Sequence, residues 1–247
     1  MKRAFFPILL TALTVISCSK KEQKDNASPT INNAEVTLPG DSTLYGLACE
    51  GCTDSLLIYL PLSGGNPDTL NILAARVNHR IFGLPEIGDQ MAIILNAEDK
   101  STADLVINLD RLKGEWCYQV MPRLRPRAGV SPDSIVQLPP DFPDSLRKKW
   151  FQPREYGIEF KKDRTARAIG SQTRDHTKQQ TPVTYPTVKR YRQWQVFNGH
   201  ILLMETNRDT LGSHQVISTD TVDIVLLRPD SLRLRFKDHE QGYYRKN

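Results

Sequence analysis

This 247-residue chain carries few of the local patterns that announce chemistry. Its five histidines, His79, His176, His200, His214 and His239, are scattered, and no two of them stand four apart beside a glutamate as a zinc-binding helix requires. No Gly-x-Ser-x-Gly elbow lifts a serine onto a strained turn. No glycine-rich loop is built to cradle a phosphate, and no dinucleotide fingerprint follows a strand. Only one Cys-x-x-Cys pair exists, so a four-ligand zinc site would have to recruit distant residues such as Cys117 and His79. The carboxylate pairs Asp220 with Asp223 and Asp238 with Glu240 sit at strand ends, where such pairs are ordinarily solvent-facing charge. There is no internal repeat, and beyond the first residues no apolar run is long enough to span a bilayer. The expectation is a chain that is not an enzyme and carries no metal and no cofactor.

What is present is ordinary globular material, 39% hydrophobic and 25% charged. Sixteen prolines and fourteen glycines punctuate many short apolar runs, which points to all-β structure with frequent turns. The length suits one or two domains. A formal charge of +5 is mildly basic and gives weak nonspecific attraction to anionic glycans, lipid headgroups or nucleic acid. A nucleic-acid partner is not expected. Within residues 35–111, Arg76, His79, Arg80 and Phe82 are the only basic and aromatic cluster, and a groove of interleaved cations and rings is missing there.

Residues 1–17 read as a signal peptide, with Lys2 and Arg3 ahead of an apolar core from Ala4 to Ile16. Without those two cations the +5 falls to +3. Val15-Ile16-Ser17-Cys18 resembles the bacterial lipobox, with Val15 where leucine is usual. The resemblance implies that Cys18 is acylated and anchors the chain to a membrane, placing it in the cell envelope as an outer-membrane lipoprotein, periplasmic or surface-exposed. Residues 18–34 are polar and lack the apolar mass to fold, which suits a tether. The charged residues Lys20, Lys21, Glu22, Lys24 and Asp25 also resemble the surface-export signals of lipoproteins in Bacteroidota.

Residues 35–111 read as a small β domain, a barrel of OB-like type or a sandwich. Candidate strands cover 44–48, 56–60, 70–77, 91–95 and 105–109, punctuated by Asn66-Pro67-Asp68 and Gly88-Asp89. Ile87-Gly88-Asp89-Gln90-Met91-Ala92-Ile93 resembles the Gly-Asp turn that enters a strand in OB-like barrels. Cys49-Glu50-Gly51-Cys52 leaves three readings open: a structural disulfide or a pair of free thiols in a turn, a redox pair, or half of a metal site. A redox pair wants a helix after it, and Leu56-Leu57-Ile58-Tyr59-Leu60 is strand-like instead.

Residues 112–247 read as a second, larger antiparallel barrel. Gly114-Glu115-Trp116 resembles the Gly-x-Trp signature at the first strand of lipocalins. Tyr156-Gly157-Ile158-Glu159-Phe160-Lys161-Lys162-Asp163-Arg164-Thr165-Ala166 is similar to a strand-turn-strand of lipocalin-like domains in Bacteroidota lipoproteins, which usually carry glycine where Arg164 stands. Residues 191–197, 200–204 and 220–235 continue the likeness, with Asn198-Gly199 as a type I′ hairpin turn. The resemblance implies a lipocalin-like barrel of about eight strands, a number that either fills with side chains or holds one small ligand. Alternation places Trp116, Ile158, Phe160, Trp194, Val196, Leu232, Leu234 and Phe236 inside. Glu159, Lys161, Gln195, Arg233, Arg235 and Lys237 face out. Trp116, Phe160, Trp194 and Phe236 are the candidate lining of a ligand cavity.

An insertion at 121–155, rich in proline and cations, interrupts this barrel. Proline lacks the N–H that a ladder needs, so the segment is a lid or a solvated loop rather than a central strand. Within it Asp141-Phe142-Pro143-Asp144 begins a short helix running to Trp150. Residues 171–187 form a second polar loop. Three functions remain: a lipid-anchored module binding a small apolar or amphipathic ligand, a structural or protein-interaction lipoprotein with a filled barrel, and a thiol-disulfide enzyme using Cys49 and Cys52.

Overall fold

The computed structural model describes residues 38–124, 138, 142–170, 183–208 and 214–246. All of them belong to one compact unit, Ala34–Asn247. The expected leader, Cys18 and the whole of the expected tether lie outside the described residues.

The first half contains β1 (Leu44–Ala48), β2 (Leu56–Pro61), β3 (Asp68–Asn71), helix α1 (Leu73–Val77), β4 (Ile81–Phe82), β5 (Gln90–Leu95) and β6 (Ala103–Asn108). The strands form a six-stranded mixed sheet in the order β3-β2-β1-β5-β6-β4. A parallel bridge between Asn71 and Thr102 brings the end of β3 to the start of β6 and draws the sheet toward closure, with the connectivity of an OB-like barrel. Leu57, Leu70, Ile72, Met91, Ile93 and Val106 fill its interior. The Gly-Asp turn enters β5 as expected, with Gly88 at φ +87°.

One strand is corrected. Residues 70–77 are not a single strand, because β3 stops at Asn71 and the run becomes α1. A short apolar run has no period that separates strand from buried helix. Asn71 decides the matter: its side chain accepts from the Leu73 N–H at 2.9 Å and turns the chain into the helix.

The second half begins with α2 (Leu109–Leu112) and continues through β7 (Gly114–Val120), β8 (Arg123–Leu124), α3 (Asp144–Trp150), β9 (Arg154–Phe160), β10 (Ala166–Ile169) and β11 (Val183–Thr184). It ends with β12 (Gln193–Phe197), β13 (His200–Arg208), β14 (His214–Leu227), β15 (Ser231–Arg235) and β16 (Glu240–Lys246). Eight of these strands form an antiparallel sheet in the order β10-β9-β7-β16-β15-β14-β13-β12. The outer strands meet through a bridge between Thr165 and Gln193, with the Ala166 N–H on the Arg192 carbonyl at 2.7 Å and the Trp194 N–H on the Arg164 carbonyl at 2.9 Å. Each strand therefore pairs with its neighbours in the chain and the last returns to the first. This is the nearly closed up-and-down barrel of lipocalin type.

Trp116, Ile158, Phe160, Trp194, Val196, Leu232 and Leu234 are buried, as their alternation requires. Phe236 lies one residue beyond β15 and is half-buried. The Asn198-Gly199 turn has φ +49° and +83°, the two positive values a type I′ hairpin needs. Arg164 takes φ +63°, the conformation in which glycine is cheapest, and its guanidinium lies 4.5 Å from the Trp194 ring. That cation–π contact offsets the backbone cost.

A single core crosses both halves, since Tyr45, Ala92, Leu105 and Ile107 cluster with Trp116, Phe160, Trp194 and Val196. The Tyr45 hydroxyl donates to the Val196 carbonyl at 3.1 Å. The Asn198 side chain accepts from the Ser42 N–H and hydroxyl at 2.8 and 2.7 Å and donates to the Gly40 carbonyl at 3.2 Å. The first half thus covers the barrel end that holds this hairpin.

Candidate functional site

Residues on each barrel strand step from the covered end to the opposite one: Trp116, Tyr118 and Val120 on β7, Phe160, Ile158 and Tyr156 on β9, Arg245, Tyr243 and Gln241 on β16. The covered end is packed solid. Phe160 meets Trp194 edge to face at 5.3 Å. The indole of Trp116 donates to the Leu112 carbonyl at 2.7 Å and that of Trp194 to the Lys161 carbonyl at 3.1 Å. Arg245 caps this end. Its guanidinium lies 4.2 Å from the Trp116 ring centre and donates to the carbonyls of Lys113 at 2.8 Å, Pro229 at 2.7 Å and Arg111.

The other end encloses a cavity of about 1060 Å³. Tyr118, Tyr156 and Tyr243 stand round it, with Tyr118 edge-on to Tyr243 at 5.3 Å and to Tyr156 at 6.3 Å. Ile158, Leu203 and Phe236 add apolar wall. Burial pushes the phenols of Tyr118, Tyr156 and Tyr243 up, so all three are neutral near pH 7 and offer hydroxyls to a ligand.

The wall carries one strong polar cluster. Asp220 accepts from Lys189 at 2.6 and 2.7 Å and from the Tyr191 hydroxyl. Burial works to raise the Asp220 carboxyl, but these donors outweigh it and hold it below the usual range. Burial, then the bond to Asp220, pushes the Tyr191 phenol far up. At the mouth His239 stacks on Phe236 at 4.8 Å and faces Asp238 at 2.8 Å.

Two loops meet above this space. β8, from the insertion, pairs with β11, from the second polar loop, through Val183 with Leu124 and Thr184 with Arg123. The Tyr185 hydroxyl donates to the Gln152 carbonyl at 2.6 Å, and the Arg154 guanidinium covers the Tyr185 ring at 3.9 Å. The Tyr156 hydroxyl donates to the Pro186 carbonyl at 3.2 Å. Pro186, Thr187, Val188 and Lys189 border the cavity as a result. The helix expected to run to Trp150 is α3.

Of the residues expected to line a cavity, only Phe236 does so. Trp116, Phe160 and Trp194 form the packed floor, with exposures of 0, 1 and 0%. Buried indole N–H groups need acceptors. Theirs are carbonyls just beyond the strands at the covered end, which place both rings there. The tyrosines, Lys189 and Asp220 were not anticipated as wall. The alternation of Tyr118, Tyr156, Asp220 and Tyr243 on their strands was readable, but their common depth in the barrel was not, and Lys189 and Tyr191 reach the wall from the segment between β11 and β12.

The carboxylate pairs do not hold together as sequence neighbours: Asp220 and Asp238 both border the cavity, whereas Asp223 pairs outside with His200 at 2.5 Å. Glu240 pairs with Arg235 at 2.8 Å. Cys49 and Cys52 are separate half-buried thiols rather than a disulfide. The Cys52 thiol contacts the carbonyls of Cys49 at 3.2 Å and Ile58 at 3.3 Å, and strand β2 follows. Neither borders the cavity. Cys117 is buried, and burial pushes its thiol up, with Glu155 adding to the effect. Among the described residues no three His, Cys, Asp or Glu side chains gather as a metal ion would need.

No family model and no curated protein matches the chain. A solved crystal structure of a lipocalin-like protein from Bacteroides thetaiotaomicron is similar to it at 17% identity, over 54% of this chain and 95% of that one, with a TM-score of 0.26.

Proposed function

We propose that this lipocalin-like protein is a non-catalytic binding module that holds a small apolar or amphipathic molecule in the open half of its barrel. The observation that carries this reading is the cavity of about 1060 Å³, a volume on the scale of small-molecule sites. Its wall suits an amphipathic guest: aromatic and aliphatic side chains such as Tyr118, Ile158, Leu203 and Phe236 share it with polar groups that include the Asp220, Tyr191 and Lys189 cluster and Arg123, Lys237 and Asp238. The lipobox-like Val15-Ile16-Ser17-Cys18 supports the further proposal that acylation at Cys18 tethers the module to the outer membrane of a bacterial envelope.

Titration of an environment-sensitive fatty-acid probe into residues 34–247 tests the binding reading. Saturable binding that Phe236→Trp or Tyr243→Trp weakens by filling the cavity is expected. No saturable binding to this probe or to a neutral apolar dye would leave the structural or protein-interaction reading in its place. Palmitate labelling of the full chain tests the anchor, and label that persists in Cys18→Ala would sink it.

A further inference from the structure

The open end of the barrel carries a surface that ligand binding does not explain. Helix α3 lies in the insertion that leads into β9 at this end, and it contains no buried residue. Its apolar stripe, Phe142, Leu146 and Trp150, is only half-covered, with Phe142 against Trp150 at 5.3 Å. Its other face exposes Arg147, Lys148 and Lys149. On the same rim Met121 is 54% exposed, and Val216 and Ile217, where the β13–β14 ribbon bulges, are 52% and 62% exposed. The charges there lean positive. Among the described residues Arg123, Arg147, Lys148, Lys149 and Lys237 have no ion-pair partner, whereas Asp220 and Glu240 are paired with Lys189 and Arg235, and Asp144, Glu205 and Asp238 offset the five cations only in part.

We propose that this end of the barrel docks on an anionic lipid surface, with α3 lying in the headgroup region. Burying these apolar side chains together against a hydrocarbon boundary is favourable, and cations interleaved with them add to the attraction only beside negative charge. A short helix with a cationic face and a Trp-bearing stripe matches the amphipathic boundary of a bilayer, where the ring is buried and the ammonium groups reach the phosphates. A flat surface also meets several described segments at this end: α3, the start of β14 at Val216 and Ile217, and the turn at Phe236–His239. Docking in this pose points the cavity mouth at the bilayer. The docking itself stands on the rim alone; transfer of a guest between bilayer and cavity rests on the binding function proposed above.

The test uses residues 34–247, the compact unit that contains every described element. Vesicles of equal parts phosphatidylglycerol and phosphatidylcholine are expected to co-sediment the protein at least about tenfold more strongly than phosphatidylcholine alone, and less so as salt rises. Trp116 and Trp194 are fully buried, so a blue shift of tryptophan emission on binding reports Trp150. Reversing Arg147, Lys148 and Lys149 to glutamate is expected to remove most of the binding. Reversing the exposed Lys100, Arg228 and Arg233 elsewhere is expected to leave it in place. Equal loss in both triple variants, no preference for anionic vesicles, or equally strong capture of polyglutamate would overturn the proposal, provided circular dichroism shows each variant folded. The fatty-acid probe, read without vesicles, separates the two ideas. Probe binding without vesicle binding removes the docking alone, and vesicle binding without probe binding removes the carrier alone.

Discussion

At its covered end the barrel buries Trp116, Phe160 and Trp194 almost completely, while at its open end Tyr118, Tyr243 and Phe236 border empty space. Both ends are aromatic, and both use the inward positions of the same strands. The difference lies in what stands beyond them. The covered end meets the six-stranded sheet, whose Tyr45, Leu105 and Ile107 complete the packing, and both buried indole N–H groups there find a carbonyl. Among the described residues, the open end meets two loops joined by the short β8–β11 pair. An eight-stranded barrel is at the size where filling and hollowness are both accessible, so the neighbour decides which one each end adopts.

The strongest test of that contrast is a pair of truncations. Trp194→Ala should cost about 3–5 kcal/mol, as for other fully buried large-to-small changes. Phe236→Ala should cost less than about 2 kcal/mol, since one side of the ring already lacks packing partners. Urea denaturation of both variants measures the two costs, and equal values would mean that the ends do not differ.

The cap comes next. Arg245→Met keeps the bulk over Trp116 but leaves the carbonyls of Arg111, Lys113 and Pro229 without their donor. A loss of about 2–4 kcal/mol is expected from the vacant acceptors and the missing cation–π contact. A loss near zero would show that solvent satisfies these carbonyls and that the end is less sealed than its packing indicates.

The wall cluster yields a pH dependence confined to the open end. The folded-state pKa of Asp220 is depressed, so its contribution is present above its ordinary value of 3.8 and is lost as pH falls through that region and below. The folded-state pKa of Tyr191 is raised, so its contribution is present below its ordinary value of 10.0 and fades as pH rises beyond it. Asp220→Asn should cost about 1–2 kcal/mol at neutral pH and flatten both limbs of the stability profile. An unchanged profile would remove the cluster from the account of how the wall is held. The smallest effect belongs to the exterior: Arg235, exposed and paired with Glu240, should tolerate alanine within about 0.5 kcal/mol.

Much of the fold was legible because each signal was local. Asn198-Gly199 demands two positive φ values, and the residues around it alternate with period two. Pro143 and Asp144 mark the start of α3 within a stretch otherwise hostile to regular structure. Residues 70–77 failed for the converse reason, since their turn into a helix hangs on one side-chain bond from Asn71. The candidate cavity was half legible. Trp116, Phe160, Trp194 and Phe236 do share the barrel interior, or its edge, but three of them are floor.

The sequence by itself determined which face of each barrel strand turns inward, because alternation is a property of the extended chain. It also carries the lipobox-like Val15-Ile16-Ser17-Cys18 and the proline-rich insertion, whose composition forbids a central strand. Only the tertiary structure decided how deep each inward residue lies, because depth follows from the register between strands remote in the chain, such as Tyr244 beside Cys117. It alone paired Arg123 and Leu124 with Val183 and Thr184 across some 60 residues to roof the cavity. It alone set Arg245 over Trp116, more than 120 positions apart. Contacts between such distant segments leave no period in a single chain, and they are what make one end of this barrel solid and the other hollow.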